Sequence, residues 1–389
     1  MIGHRFRRKN MRKTTQLSLV RMILAIGFAC IDTVWVLYMN SFGLSESNIG
    51  FISAALVLVT LAFSFFSTIL LEKIDEIKIL IYSLVVIGSS YLIISFSNVF
   101  WIFILLSIVI TMVSILKTDA FDILFRDVSD DKNLNEDEGL MYTLINVGWL
   151  FGPLIAGFIL VKLGMDFVFI TSSMFIFLGG LILYRLNLKL PEKVRDSIDS
   201  DIYQNLKDFF SDKKLIVPYM MAAGIEIWWA LVYIYVPLFI IKNGLSEMFV
   251  GYFLSVVIIP LILFEFVIGK LSLKYGFRIF FFLGFFLLMV AGIFGFFSTN
   301  FYFTLIVLGL ASIPMAFLEP IQDSFFFKQI SSNDEEKFYP IFATAADFGS
   351  FIGKISIAGM LIFMPEKFAY IVIAGFMGIL SLISLKIKN

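Results

Sequence analysis

Ten ionisable residues stand inside long apolar stretches of this chain: Asp32, Lys117, Asp119, Asp122, Glu226, Glu265, Glu319, Asp323, Asp347 and Lys354. A charge is costly in hydrocarbon, so each of them must be paired, face water, or work. Carboxyl groups shielded from bulk water can take up and release a proton near neutral pH, and a carboxylate beside aromatic rings can hold an organic cation. Helical spacing sets such groups together: Asp32 shares a face with Trp35 and Met39, Glu226 with Trp229 and Tyr233, and Glu319 with Gln322 and Asp323. Two readings stand for Asp32 and Glu226, as groups that exchange a proton for a cation, or as structural partners of Lys117. Asp119, Asp122 and Arg126 share a face near one helix end, where Asp122 and Arg126 at i and i+4 read as an interfacial ion pair. Asp347 and Lys354 read as partners of each other or of Glu265, and Arg21 as a side chain snorkelling to the interface.

Other chemistry is excluded quickly. His4, in a basic tail, is the sole histidine, so neither a histidine metal site nor a histidine relay is expected. Cys30 is alone, which rules out an internal disulfide and leaves a small buried apolar residue. Gly349 to Gly353-Lys354 is one residue short of a phosphate loop and follows no strand. No ATPase motif is visible. The expectation is a protein that is not an enzyme, needs no cofactor or metal and binds no nucleic acid.

The elements that must carry these residues follow from composition. The chain is 60% hydrophobic, 17% aromatic and only 15% charged, with zero net charge; a soluble domain carries about 25% charge. The bilayer must be the solvent. Twelve apolar runs are legible, at about 18–39, 48–71, 79–97, 99–121, 140–161, 167–186, 215–241, 249–269, 279–298, 301–326, 340–363 and 368–385. They are continuous and about twice as long as a tilted strand needs, so helices are predicted. Lys and Arg gather in alternate loops, together with the tail containing Arg5, Arg7, Arg8, Lys9, Arg12 and Lys13. That bias predicts both termini on the cytoplasmic side of the cell membrane. The tail runs into a segment too long for a signal peptide and interrupted by Asp32, so it reads as preceding a retained first helix.

An internal repeat divides the runs. Gly43-Leu44-Ser45-Glu46, three residues, then Gly50 returns 201 residues later as Gly244-Leu245-Ser246-Glu247, three residues, then Gly251. The same offset sets Asp122 on Asp323, Gly148 on Gly349, Gly152 on Gly353 and Phe167 on Phe368. The expected organisation is an N-terminal six-helix half over 1–187, a cytoplasmic linker over 188–214 and a C-terminal six-helix half over 215–389. The linker carries a weak amphipathic pattern at Ile202, Leu206, Phe209 and Phe210, and reads either as an interfacial helix or as a plain tether. Asp127 to Glu138 reads as a solvated acidic loop.

The fifth run contains Gly139, Gly148, Gly152-Pro153 and Gly157. Glycines four apart admit a close neighbouring backbone, and Pro153 bends the helix. Tight packing is one reading of this pattern, a flexible gating helix between the halves the other. With two six-helix halves and charged loops after the second and eighth runs, the chain resembles the major facilitator superfamily from about 15 to 386. Gly269, Lys274, Gly276 and Arg278 match that family's loop signature, with Leu273 where an acid is usual. The first-half copy keeps Glu72 and Lys73 but has Thr68 and Asp75 for glycines. The fifth-run pattern resembles the family's drug-proton exporters, with Ala156 for one glycine; the arginine those exporters carry in the fourth run is missing over Leu105 to Val109.

The resemblance implies an all-α integral membrane protein of twelve transmembrane helices in two pseudo-symmetric halves. It also implies a central cavity lined by the first, fourth, seventh and tenth helices. The implied activity is proton-coupled efflux of a small amphipathic or cationic molecule by alternating access, by a monomer in a lipid bilayer. Proton coupling is assigned to Asp32, Glu226, Glu319 and Asp323. The substrate cavity is assigned to Trp35, Trp229, Tyr233, Gln322 and Lys117, and gating to Gly148, Gly152, Pro153, Gly157, Gly269, Lys274, Gly276 and Arg278. The alternatives are a proton symporter or facilitator that takes up a polar nutrient, and a transporter-derived receptor or scaffold that moves nothing.

Overall fold

The structure, a computed structural model, describes residues 12–129, 134–188, 202–331 and 334–387. Residues 1–11 of the basic tail with His4, the acids Asp130 and Asp131, residues 189–201 of the linker and Lys388 lie outside the described residues. Twelve helices among the described residues are long and apolar enough to cross a membrane. The first six are Lys13–Ser41, Glu46–Lys73, Glu76–Phe96, Phe100–Val128, Leu134–Leu163 and Met165–Leu186. The second six are the spans Lys213–Lys242, Glu247–Tyr275, Phe277–Phe297, Phe301–Phe327, Lys337–Leu361 and Lys367–Ser384. A short helix, Ile202–Ser211, joins the two sets. An even number of crossings returns the chain to its starting side, here called the terminal side; the other is the far side.

Each set packs as a bundle: the first span lies against the fifth and sixth, the third against the fourth and sixth, the seventh against the eleventh, and the ninth against the tenth and twelfth. Between the bundles the main contacts are the second span on the eleventh and the fifth on the eighth. Large side chains such as Phe66, Tyr82, Trp101, Phe266 and Phe297 stay exposed around the bundle. That apolar jacket belongs against lipid.

The repeat reaches the backbone. Gly43 and Gly244 take φ of 78° and 77°, and each is followed by an extended serine, Ser45 or Ser246, at the start of a helix. Gly148 and Gly152 face Ala25 and Ala29 of the first span, as Gly349 and Gly353 face Ala223 and Ala230 of the seventh. Gly50 meets Tyr235 and Ala358, and Gly251 meets Pro153 and Gly157, so one glycine from each half seats the partner bundle.

The second half is more broken than the first. The seventh span contains a π-turn at Leu231–Tyr235, and the tenth is split by a 3-10 turn at Glu319–Ile321. Proline accounts for these breaks, since its ring removes the hydrogen bond to the carbonyl four residues back. Pro237 frees Tyr233, Pro260 frees Val256 beside the interruption of the eighth span, and Pro314 frees Leu310, where the tenth span first breaks.

Two loops depart from the expectations. The fourth helix continues through Val128 and the fifth begins at Leu134, so much of the acidic stretch Asp127 to Glu138 is helical. Glu136 and Asp137 sit in a first turn, where the helix dipole favours negative charge. The helix Ile202–Ser211 is docked: Phe209 is fully buried among Tyr219, Phe326 and Phe338, and Lys337 bonds Asp208. The Lys337 and Gln204 hydrogen bonds hold the Asp208 carboxyl below the usual carboxylate range. This contact is therefore present at neutral pH and is lost as pH falls through that depressed value.

Candidate transport cavity

A cavity of about 1530 Å³ lies between the halves. Its walls run from Asp32, Glu226 and Lys354 at mid-depth to Asp122, Arg126, Lys337 and Tyr339 on the terminal side, where Asn205 and Leu206 of the short helix also reach it. It opens to the terminal side.

Asp32 is exposed to this space, and Glu226 and Asp347 are partly exposed. Lys354 stands within electrostatic reach of all three. The sequence pairs Asp347 and Lys354 with each other or with Glu265; Lys354 instead stands near three acids from both halves, Asp32, Glu226 and Asp347, while Glu265 meets Asn146. Trp35 packs on Phe103 at 4.8 Å between ring centres, and Tyr233 packs on Trp229 at 5.3 Å and on Trp149 of the other half at 5.8 Å. The π-turn presents Tyr233 and Ile234 to the cavity, and the 3-10 turn presents Glu319. Such bulges recur at functional sites because they re-aim side chains that a regular helix would hide.

Several assigned residues lie elsewhere. Lys117 is buried with its Nζ 4.0 Å from the centre of the Phe28 ring, and does not line the cavity. Gln322 and Asp323 are not lining residues either, because the turn at Glu319–Ile321 breaks the face on which the sequence set them. Asp323 is exposed, within electrostatic reach of Glu138. Asp122 meets Arg21 at 4.0 Å instead of Arg126, and Arg21 also covers the Phe121 ring at 4.6 Å, so it is engaged inside the first half and does not snorkel. Of the gating set, Gly157 and Pro153 touch Gly251 across the halves, while Gly148 and Gly152 face the first span within their own half. Gly276, with φ of 86°, is the single residue between the eighth and ninth spans. Nothing meets a side chain built at Gly269, and the Lys274 ammonium lies 5.1 Å from the centre of the Tyr275 ring. Arg278 opens the ninth span at the same corner.

Sequence reasoning missed a wall of hydroxyl groups. Ser53, Thr60, Ser64 and Ser67 on the second span and Thr111, Ser114 and Thr118 on the fourth all line the cavity. Their spacings of three, four and seven residues were the signal available. Asn146 and Trp149, on the fifth span, were also missed.

The far side is shut by an ion cluster as well as by glycine contacts. Lys242 Nζ lies 2.8 Å from Glu46 of the first half and 3.6 Å from Glu366, while Asn243 donates to Glu366 at 2.9 Å. Ser47 Oγ donates to the Ala358 carbonyl at 2.7 Å. Lys242→Gln breaks a half-exposed pair worth up to about 1 kcal/mol, which is roughly a fivefold shift toward far-side opening. Distances between spin labels at Ser41 and Asn300 measure it; an unchanged distribution would show that the cluster does not hold the far side shut.

Twelve membrane-length helices among the described residues, in two pseudo-symmetric halves with a cavity between them, are the architecture of a membrane transporter. The Major Facilitator Superfamily profile matches residues 17–353, and the chain belongs to that family. Among solved structures the fold is similar to an inward-facing, unoccupied bacterial homolog of the human lysosomal transporter Spinster (TM-score 0.75, 13% identity, covering 96% of this chain and 95% of that one). It is similar also to a POT family transporter in complex with 5-aminolevulinic acid (0.80, 12%, 96% and 95%) and to the nucleoside transporter NupG (0.77, 12%, 97% and 100%). No curated protein matches significantly.

Proposed function

We propose that the protein exports a small amphipathic or cationic molecule in exchange for protons. The observation that carries this reading is the convergence of Asp32, Glu226 and Asp347 with Trp35, Trp229 and Tyr233 around one cavity. Carboxylates that face cavity water inside a protein bulk can trade a proton for an organic cation, and each aromatic face adds about 0.5–2 kcal/mol for the cation. Asp32 belongs to the first half and Glu226 to the second, so a ligand between them touches both bundles. Gly50, Gly157 and Gly251 let the bundles close on the far side; alternating access then needs the same seal to open.

The lysine and arginine bias supports a cytoplasmic terminal side, and the cavity then faces the cytoplasm, as export requires for loading. Cysteines at Ser41 and Asn300 are expected to label from outside in intact cells and one at Ser211 only from inside; the reverse pattern sinks this orientation. The division of the chain at 188–214 into two halves working as a monomer belongs to the same reading. A second reading, uptake of a polar nutrient, is favoured by the hydroxyl wall and by Lys354. The deciding experiment reconstitutes the full chain into proteoliposomes with an imposed pH gradient and tests tetraphenylphosphonium against sugars and nucleosides. Uphill movement of the lipophilic cation against protons supports exchange; gradient-driven sugar or nucleoside flux in its place overturns it.

A further inference from the structure

Glu265 and Glu319 are two carboxyl groups side by side, one on the eighth span and one in the broken turn of the tenth, where those two elements pack on each other. Neither has an ion-pair partner among the described residues. Asn146 Nδ2 donates to Glu265 Oε2 at 3.2 Å, and Trp229 Nε1 donates to Glu319 Oε1 at 2.5 Å. Ionised carboxylates only accept, so a bond between two of them needs one hydrogen. Its place follows from the surrounding groups. Each acid gives one oxygen to an outside donor and keeps one for the other acid. Glu226 is a further negative charge near Glu319 that does not act on Glu265, so charge is disfavoured on Glu319 and the hydrogen sits on its second oxygen, toward Glu265.

We propose that Glu265 and Glu319 form a single proton-binding site, with Glu319 as the acid and Glu265 as its acceptor, and that Asn146 ties this site to the opposite half. The proposal rests on the proton-exchange reading above and adds Glu265 and Asn146 to it. Glu226 is the further charge acting on Glu319, and Tyr233 from the same span as Glu226 lies within electrostatic reach of that carboxyl. Glu319 lines the cavity, so its hydrogen has a route to cavity water. Once it leaves, two negative charges remain in contact, and Asn146 is the donor that steadies one of them. Asn146 sits on the fifth span, which meets the eighth across the halves, so a rocking of the bundles changes that support and with it the occupancy of the site.

The test is infrared spectroscopy of the purified full chain in lipid, following the carbonyl band of protonated carboxylic acids. Glu319→Gln is expected to lose one carboxyl's worth of that band. Glu265→Gln keeps the hydrogen on Glu319 but gives it a different acceptor, so the band persists and shifts. Asn146→Leu, which alters neither carboxyl and covers the case of a misfolded Glu265 variant, shifts it too. Full band intensity in Glu319→Gln, or an unmoved band in both Glu265→Gln and Asn146→Leu, overturns the site whatever transport assays show. The expected band changes, found in a wild-type protein that moves no tetraphenylphosphonium on a pH gradient, support the site and sink the exchange reading.

Discussion

Asp32→Asn and Glu226→Gln are each expected to reduce proton-driven accumulation to equilibration. A gradient of one pH unit supplies about 1.4 kcal/mol per coupled proton, enough for about tenfold accumulation. A transporter without its coupling carboxyl brings that ratio to one, while counterflow of labelled for unlabelled substrate continues. The structural alternative now has a different partner. Lys354 acts on Asp32 more strongly than Lys117 does, and Lys117 is spent against Phe28. A purely structural pair would therefore lose folding in Asp32→Asn and recover it when Lys354→Met is added. Accumulation that stays near tenfold in both neutral variants would show that neither acid carries the proton.

Gly251→Leu is expected to insert normally and to fail in closing the far side. A side chain there runs into the Pro153 carbonyl and lies 3.2 Å from Gly157 Cα, both in the other half. Overpacking costs about 1–3 kcal/mol, here borne only by the far-side-closed state, so the conformational balance shifts by roughly 5- to 150-fold. Spin labels at Ser41 and Asn300 should report a longer far-side distance, with transport lost. Gly152→Leu is the contrast, because the same added bulk meets Ala29 and the Ile26 carbonyl inside one bundle and should lower thermal stability. Equal far-side distances in wild type and Gly251→Leu would leave the glycine a packing role alone.

Much of this fold was legible because a bilayer makes the sequence simple. Every backbone group must be satisfied within its own segment, so a run of about twenty apolar residues has few options besides a helix. Short polar breaks delimit the runs, and a constant offset of 201 residues reveals the duplication that appears in the structure as matching φ at Gly43 and Gly244. Helical periodicity also found Asp32 with Trp35, and Glu226 with Trp229, since each pair lies within one regular helix, and the π-turn at Leu231–Tyr235 still leaves Tyr233 on the cavity.

The periodicity failed where the helix itself fails. Gln322 and Asp323 share a face with Glu319 on a regular helix, but Pro320 and the turn at Glu319–Ile321 rotate them out of the cavity. Lys117 was assigned to the cavity from its span, whereas the rotation of the fourth helix, set by packing, sends it behind Phe28. Composition and spacing by themselves determined the spans, their pairing into halves and the inventory of acids. Which side is closed, which acid meets which base, and that Glu265 finds Glu319 and Asn146 were decided only by the tertiary structure. These contacts join residues far apart in the chain, from 54 positions for Glu265 and Glu319 through 119 for Asn146 and Glu265 to 311 for Ser47 and Ala358. They are made by whole helices packing side by side, and one helix's periodicity holds no information about its neighbour's rotation.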